Sequence, residues 1–218
     1  MISMKKTTAL VLSALLVLSG CAKNPDDALT PVTLNEVAHS IFYAPQYAAI
    51  ELGYFKDQGI DLSLVNGAGA DKVMTALISG DAQIGFMGSE ASVYTYANGE
   101  ADYAVNFAQL TQRAGNFLVG REPEPDFQWE NLKGKKVLGG RAGGMPQMVF
   151  EYILKKNGID PKTDLSIDQS INFGLTAAAF TSNDADYTVE FEPFATALEQ
   201  EGNGHVAASL GESSGYVP

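Results

Sequence analysis

The sequence predicts an α/β fold of two facing lobes, each a mostly parallel sheet flanked by helices, with a ligand cleft between them. Three observations carry this. The first is internal repetition. Pro45-Gln46 opens an apolar helical run that ends near Gly59-Ile60-Asp61, and Pro146-Gln147 opens another that ends near Gly158-Ile159-Asp160. Leu77-Ile78-Ser79-Gly80-Asp81-Ala82 is echoed by Phe180-Thr181-Ser182-Asn183-Asp184-Ala185, so the three offsets are 101, 99 and 103 residues. One shared dipeptide is chance; three matches in one order at nearly one offset read as a duplicated unit. The second observation is that strands alternate with helices in each copy, the pattern of a parallel sheet covered on both faces. The third is residues 104–121, where Phe107 to Leu110 and Phe117 to Gly120 read as short strands flanking a polar, glycine-bearing bend. That stretch reads as a crossover joining the lobes.

A chain of 218 residues with 45% hydrophobic and 18% charged residues can bury one or two cores. The net charge of −12 disfavours nucleic acid as a partner, because affinity there comes from Lys and Arg neutralising phosphates.

Residues 1–21 read as a targeting segment. Lys5 and Lys6 form a positive start, Ala9 to Leu18 an apolar run too short to span a bilayer comfortably, and Leu18-Ser19-Gly20-Cys21 a small-residue close. The close resembles the lipobox of bacterial lipoproteins, which implies a lipid on Cys21 as the membrane anchor. Cys21 is the sole cysteine, so no internal disulfide is possible. Loss of Lys5 and Lys6 with the leader takes the charge from −12 to −14. Residues 22–31, polar with two prolines, read as a tether.

Lobe one is expected over residues 32–108. Val32 to Val37 alternates as a strand; a turn from His39 to Ala44 follows, and Pro45 suits the first turn of a helix. Ile60 to Val65 is the second strand, and Gly67 to Asp71 a glycine turn with Asp71 as N-cap of a helix through Val73, Met74, Leu77 and Ile78. Gln83 to Met87 is the third strand, and Gly88-Ser89-Glu90 opens the next helix. After a hinge at residues 109–120, lobe two occupies residues 121–218. It holds a loop at Glu122 to Glu130 and a helix lined by Met148, Val149, Ile153 and Leu154. A strand at Leu165 to Gln169, a helix at Gly174 to Phe180, a strand at Tyr187 to Glu190 and a helix at Pro193 to Gln200 complete it.

In open α/β sheets ligands bind where strand carboxyl ends meet helix N-termini. That edge nominates His39, Phe42 and Tyr43, then Gly69, then Gly88 and Ser89, and in lobe two Gly143, Gly144 and Met145. Glycine lets backbone N–H groups approach a ligand, and aromatic faces supply stacking. Gln109 and Arg113 on the crossover and Arg141 beside the second glycine turn complete the polar set. Glu190, Glu192 and Glu90 add carboxylates, which accept hydrogen bonds from nitrogen heterocycles and repel anions. Tight turns, lobe-one packing and first-turn dipole preference are the rival explanations for these glycines, aromatics and glutamates.

Leu132-Lys133-Gly134-Lys135-Lys136-Val137 followed by Gly140-Arg141-Ala142-Gly143-Gly144-Met145-Pro146 resembles the second-lobe opening of solute-binding proteins of ABC importers. The branch in question includes the aliphatic-sulfonate, taurine, nitrate and thiamine-precursor binders. Gly53-Tyr54-Phe55, Gly59-Ile60-Asp61 and Gly80-Asp81-Ala82-Gln83-Ile84-Gly85 resemble its first-lobe signatures. The resemblance implies a two-lobed periplasmic-binding-protein-like fold of type II, a small-molecule ligand, an ABC permease with its ATPase as partner, and a monomer held outside the cytoplasm. It implies no cofactor. In that family the chain crosses back to lobe one; this sequence stops at Pro218, so the fold is expected to be truncated at its C-terminus, with apolar lobe-one surface uncovered.

No catalytic set is legible. His39 and His205 are the only histidines, and neither has a cysteine or clustered carboxylate at metal or triad spacing. The family also resembles enzymes that make a pyrimidine precursor of thiamine, whose cysteine-rich motif is absent. The favoured ligand is a thiamine-precursor pyrimidine or related N-heterocycle; a sulfonate, taurine or nitrate anion is the alternative.

Overall fold

The computed structural model describes residues 28–172 and 174–217. The expected leader, Cys21 and most of the expected tether lie outside the described residues. Two separate sheets form, one in each half of the chain.

In lobe one, strand β1 (Thr30–Glu36) is central, with β2 (Ile60–Asn66) and β3 (Ile84–Phe86) parallel to it on either side. Thr30 and Pro31, assigned to the tether from sequence, pair with Ile60 and Asp61 and belong to the sheet. Helix α1 (Ala44–Glu51) carries Pro45 in its first turn, and α2 (Tyr54–Asp57) follows the left-handed Gly53. Helix α3 (Ala70–Ser79) ends on Gly80 in the left-handed conformation expected of a terminating glycine. Its N-cap is Gly69 rather than Asp71, whose carboxylate is drawn instead to Arg141 of the other lobe. Helix α4 (Glu90–Ala97) completes the lobe.

Lobe two contains a five-stranded sheet in the order β6-β5-β7-β4-β8. These are β4 (Asn116–Gly120), β5 (Lys136–Leu138), β6 (Ser166–Asp168), β7 (Tyr187–Phe191) and β8 (His205–Ser209). β4 is antiparallel to both of its neighbours, because it arrives from lobe one against the direction of the other four. The latter half of the expected hinge is thus this strand. Both sheet faces are covered. Leu118, Val137 and Val189 pack with Val149, Phe150, Ile153 and Leu154 of helix α5 (Met145–Lys156). On the opposite face Val119 and Leu138 meet Phe180 of α6 (Thr176–Ser182) and Ala195 and Leu198 of α7 (Phe194–Gln200). β8 and helix α8 (Leu210–Ser214), which has Leu210 fully buried, were not legible in sequence.

Arg121 ties the end of β4 to the turn after α6. Its guanidinium donates to the carbonyls of Ala185, Phe180 and Asn183 at 2.6–2.7 Å and lies 4.3 Å from the Phe180 ring centroid.

The strand expected at Phe107 to Leu110 does not form. The outer edge of β3 has no partner strand among the described residues, and without a ladder the apolar run stays irregular, with Phe107 77% exposed. Val105, Tyr96, Tyr103 and Leu110 are likewise exposed. Met148, expected in the α5 core, is part-exposed and accepts a hydrogen bond from Tyr94 across the lobes at 3.1 Å. Phe194 also lies at the surface rim rather than beneath α7.

Candidate functional site

A cavity of about 960 Å³ lies between the lobes, bounded by the carboxyl ends of β1 and β3, the crossover, and the N-terminus of α5. The volume is that of a small-molecule site.

Its aromatic wall begins after β1. Ser40 accepts the Phe42 N–H in a short 3-10 turn at Ile41–Tyr43, and this places Phe42 and Tyr43 towards the gap. The Phe42 ring lies 5.3 Å from Tyr43 and 5.8 Å from Phe191 of lobe two, and Tyr43 meets Phe86 edge-on at 4.6 Å. Burial raises the Tyr43 pKa, with Tyr47, Glu36 and Glu90 adding to it, so the phenol stays neutral. Gly115 lies flat under Phe42: a Cβ there would come within 2.6 Å of two ring carbons. Gly115→Ala is therefore expected to push the ring out of the wall and cost about 1–3 kcal/mol by overpacking. Urea unfolding measures this, and an unchanged midpoint would refute it.

The polar groups come from both lobes. Arg141 donates to Asp71 at 2.7 Å and to the Ala68 carbonyl at 3.4 Å, spanning the cleft mouth. Gly69 permits this: a side chain there would meet the Arg141 guanidinium and the Asp71 carboxylate, each at 2.7 Å. The Ser40 hydroxyl donates to the Glu192 carbonyl at 3.0 Å, a second bridge. Arg113 donates to the Gly211 carbonyl at 3.3 Å.

The glycine turns are less open to a ligand than the sequence suggests. Gly143 N–H donates to Gln147, Gly144 N–H to the Arg141 carbonyl, and Gly67 N–H to the Glu36 carbonyl. Glu90, in the first turn of α4, is 6% exposed and lines the cavity. Burial raises its pKa, while its own N–H and that of Met145 across the cleft pull it down. The N-terminus of α5 thus already faces a protein carboxylate.

Of the nominated residues, Phe42, Tyr43, Gly69, Gly88, Ser89, Gln109, Arg113, Arg141, Gly143, Gly144 and Met145 line the cavity. Three do not. His39 is turned back onto buried Glu36, 2.9 Å from Nδ1, which also accepts from Gln46 and Tyr47. Glu192 accepts from the Thr196 N–H and hydroxyl at 3.1 and 3.0 Å and so caps α7. Glu190 is buried in lobe two beside a separate cavity of about 20 Å³ and accepts from Thr176 and Thr188. Missed from sequence were Asn116, Phe86 and Phe191, all in strands, and the Asp71 partner of Arg141. The strand-end signal that selects Gly88 also points to Phe86; Asn116 sat inside the expected hinge.

Two α/β lobes enclosing a cavity of ligand size define the periplasmic-binding-protein fold. The alkanesulfonate-binding protein of Xanthomonas axonopodis pv. citri superposes with a TM-score of 0.60 at 19% identity, over 89% of this chain and 64% of that one. The sequence model of the NMT1/THI5-like family matches residues 41–209, and the chain belongs to that family. A putative binding protein of Bacillus subtilis is 48% identical over 96% of this chain, which spans 63% of that relative's length. A 4-amino-5-hydroxymethyl-2-methylpyrimidine phosphate synthase of Saccharomyces cerevisiae is 27% identical over 60% of this chain and 38% of its own.

Proposed function

We propose that this chain is the extracytoplasmic solute-binding component of an ABC importer. It is a lipid-anchored monomer that captures a small N-heterocycle, favoured as a thiamine-precursor pyrimidine, between its lobes and delivers it to a permease driven by its ATPase. The observation that carries this is an aromatic-walled cavity between the lobes in which the N-terminus of α5 faces Glu90. An anion would need the backbone N–H groups of the glycine turns, but those at Gly143, Gly144 and Gly67 already have acceptors and Arg141 is paired with Asp71. A flat neutral or cationic ring suits the wall of Phe42, Tyr43, Phe86 and Phe191 better than a sulfonate or nitrate does. The identity to a putative binding protein supports a binder over a synthase.

Contacts from both lobes exist together only in the closed form, so a ligand that makes them shifts the population towards closure. Thermal melts with pyrimidines, flavins, methanesulfonate and nitrate test the reading. A pyrimidine at a hundredfold its Kd is expected to add about 2.7 kcal/mol of stability. Stabilisation by methanesulfonate or nitrate alone would favour the anion alternative; none by any ligand would end the binder reading.

A further inference from the structure

The turn before α5, residues 140–144, is held from behind by a carboxylate that does not line the cavity. Its bends use left-handed backbone at Gly140 and Gly143, with φ of 83° and 81°. Gly143 N–H donates to Gln147 Oε1 at 2.7 Å, and Ala142 N–H to the Gln169 carbonyl at 3.2 Å. Because the Gln147 oxygen is taken by that N–H, its amide nitrogen needs an acceptor elsewhere. Glu151, one turn further along α5, supplies it at 2.5 Å, and the same oxygen accepts from Gln169 Nε2 at 3.0 Å. One carboxylate oxygen thus fastens both residues that hold the turn. The turn carries Arg141, whose guanidinium forks over two acceptors of lobe one, Asp71 at 2.7 Å and the Ala68 carbonyl at 3.4 Å. Lobe one is shaped to meet it. Ala68 stands at φ 54°, a left-handed conformation costly for a residue with a side chain, and its N–H donates to Asn66 Oδ1 at 2.9 Å. Strain of this kind persists where neighbours enforce it, and the guanidinium is the neighbour across the gap.

We infer that Glu151 is the positioning residue of an interlobe latch: through Gln147 and Gln169 it aims Arg141 at Asp71 and Ala68, and that contact holds the lobes together before any ligand enters. The Arg141 side chain is 29% exposed and that of Asp71 59%. An exposed ion pair between two free side chains contributes little, because ordering both offsets the attraction. Here both arms are ordered in advance, Arg141 by the Glu151 network and Ala68 by its Asn66 bond, so less is lost when they meet. The latch and a ligand favour the same closed form, so each lowers what the other must supply. This goes beyond the binder reading and does not depend on which solute enters.

The test is hydrogen exchange of the full chain without ligand, read in peptides covering residues 66–72 and 140–148, with β4 and β7 reporting global folding. Arg141→Gln is expected to raise exchange at residues 66–72 about three- to fivefold, the scale of one lost ion pair. Glu151→Ala is expected to loosen residues 140–148 and, across the gap, to raise residues 66–72 by a similar factor. Glu151→Gln keeps an oxygen for both amides and is expected to match the wild type in both peptides. Salt at about 1 M, which cuts the reach of exposed charges to about 3 Å, is expected to reproduce the Arg141→Gln result in the wild type and to add nothing to that variant. Loosening confined to residues 140–148 in Glu151→Ala makes Glu151 a local brace and overturns the latch. So does a Glu151→Gln variant that behaves as Glu151→Ala does, or unchanged exchange at residues 66–72 in both Arg141→Gln and high salt. If Glu151→Ala opens β4 and β7, Gln147→Leu breaks the same link in its place, with the same outcomes deciding. Because no ligand is used, failure here leaves the binder reading intact, and failure of every ligand melt leaves the latch.

Discussion

Replacing Phe150 by alanine is expected to cost about 3–5 kcal/mol of unfolding free energy, the range for deleting a buried aromatic ring. The side chain is fully buried on α5, in the cluster that joins Leu118, Val137 and Val189 of the sheet to Ile153 and Leu154 of the same helix. Its ring stands 6.5 Å from that of Trp129, which lies over the cluster from the preceding loop. Collapse into the space is resisted on two sides, because Gly139 offers no side chain to fill it and the sheet beneath is held by β4, β5 and β7. Since domains have only about 5–15 kcal/mol in total, this one change would bring lobe two near its unfolding threshold. Chemical unfolding followed through Trp129 measures it. A midpoint displaced by the equivalent of less than about 1 kcal/mol would mean that the neighbours close the gap.

Stability is expected to fall by about 3 kcal/mol as pH rises from 4.5 to 7 through the carboxyl of Glu190 alone. Burial pushes its pKa up from 4.5 to about 7, with the hydroxyls of Thr188 and Thr176 pulling partly back. A group whose folded pKa is raised favours the folded state while protonated. Its contribution is therefore complete below 4.5, the unfolded value, and is lost as pH climbs through about 7. Glu190→Gln keeps the shape and can hydrogen-bond both threonines, so the variant is expected to lack this slope and to be the more stable protein at pH 8. Parallel pH profiles for the two proteins would refute the assignment.

The lobes were legible because the duplication repeats turn residues, and turn residues mark strand ends: Gly69, Gly88 and Gly143 fall where the cavity opens. Phe42 and Tyr43 were found for the same reason. What escaped depends on partners distant in the chain. Asp71 looks like an N-cap until Arg141 stands opposite it, 70 residues on. Glu192 reads as a cleft carboxylate, yet Thr196 four residues later claims both its oxygens. Phe107 to Leu110 has the composition of a strand but finds no strand to pair with. β8, with Ala207 and Ala208 at its centre, is too weakly apolar to announce itself, and only its place beside β4 makes it a strand.

The position of β4 has a mechanical consequence. The chain leaving lobe one enters lobe two in an interior strand, gripped by β7 on one side and β8 on the other. A pull transmitted along the crossover would load both ladders in shear, many bonds sharing the force, instead of peeling an edge one bond at a time. Lobe two would then resist extraction through the crossover more strongly than a sheet entered at its margin.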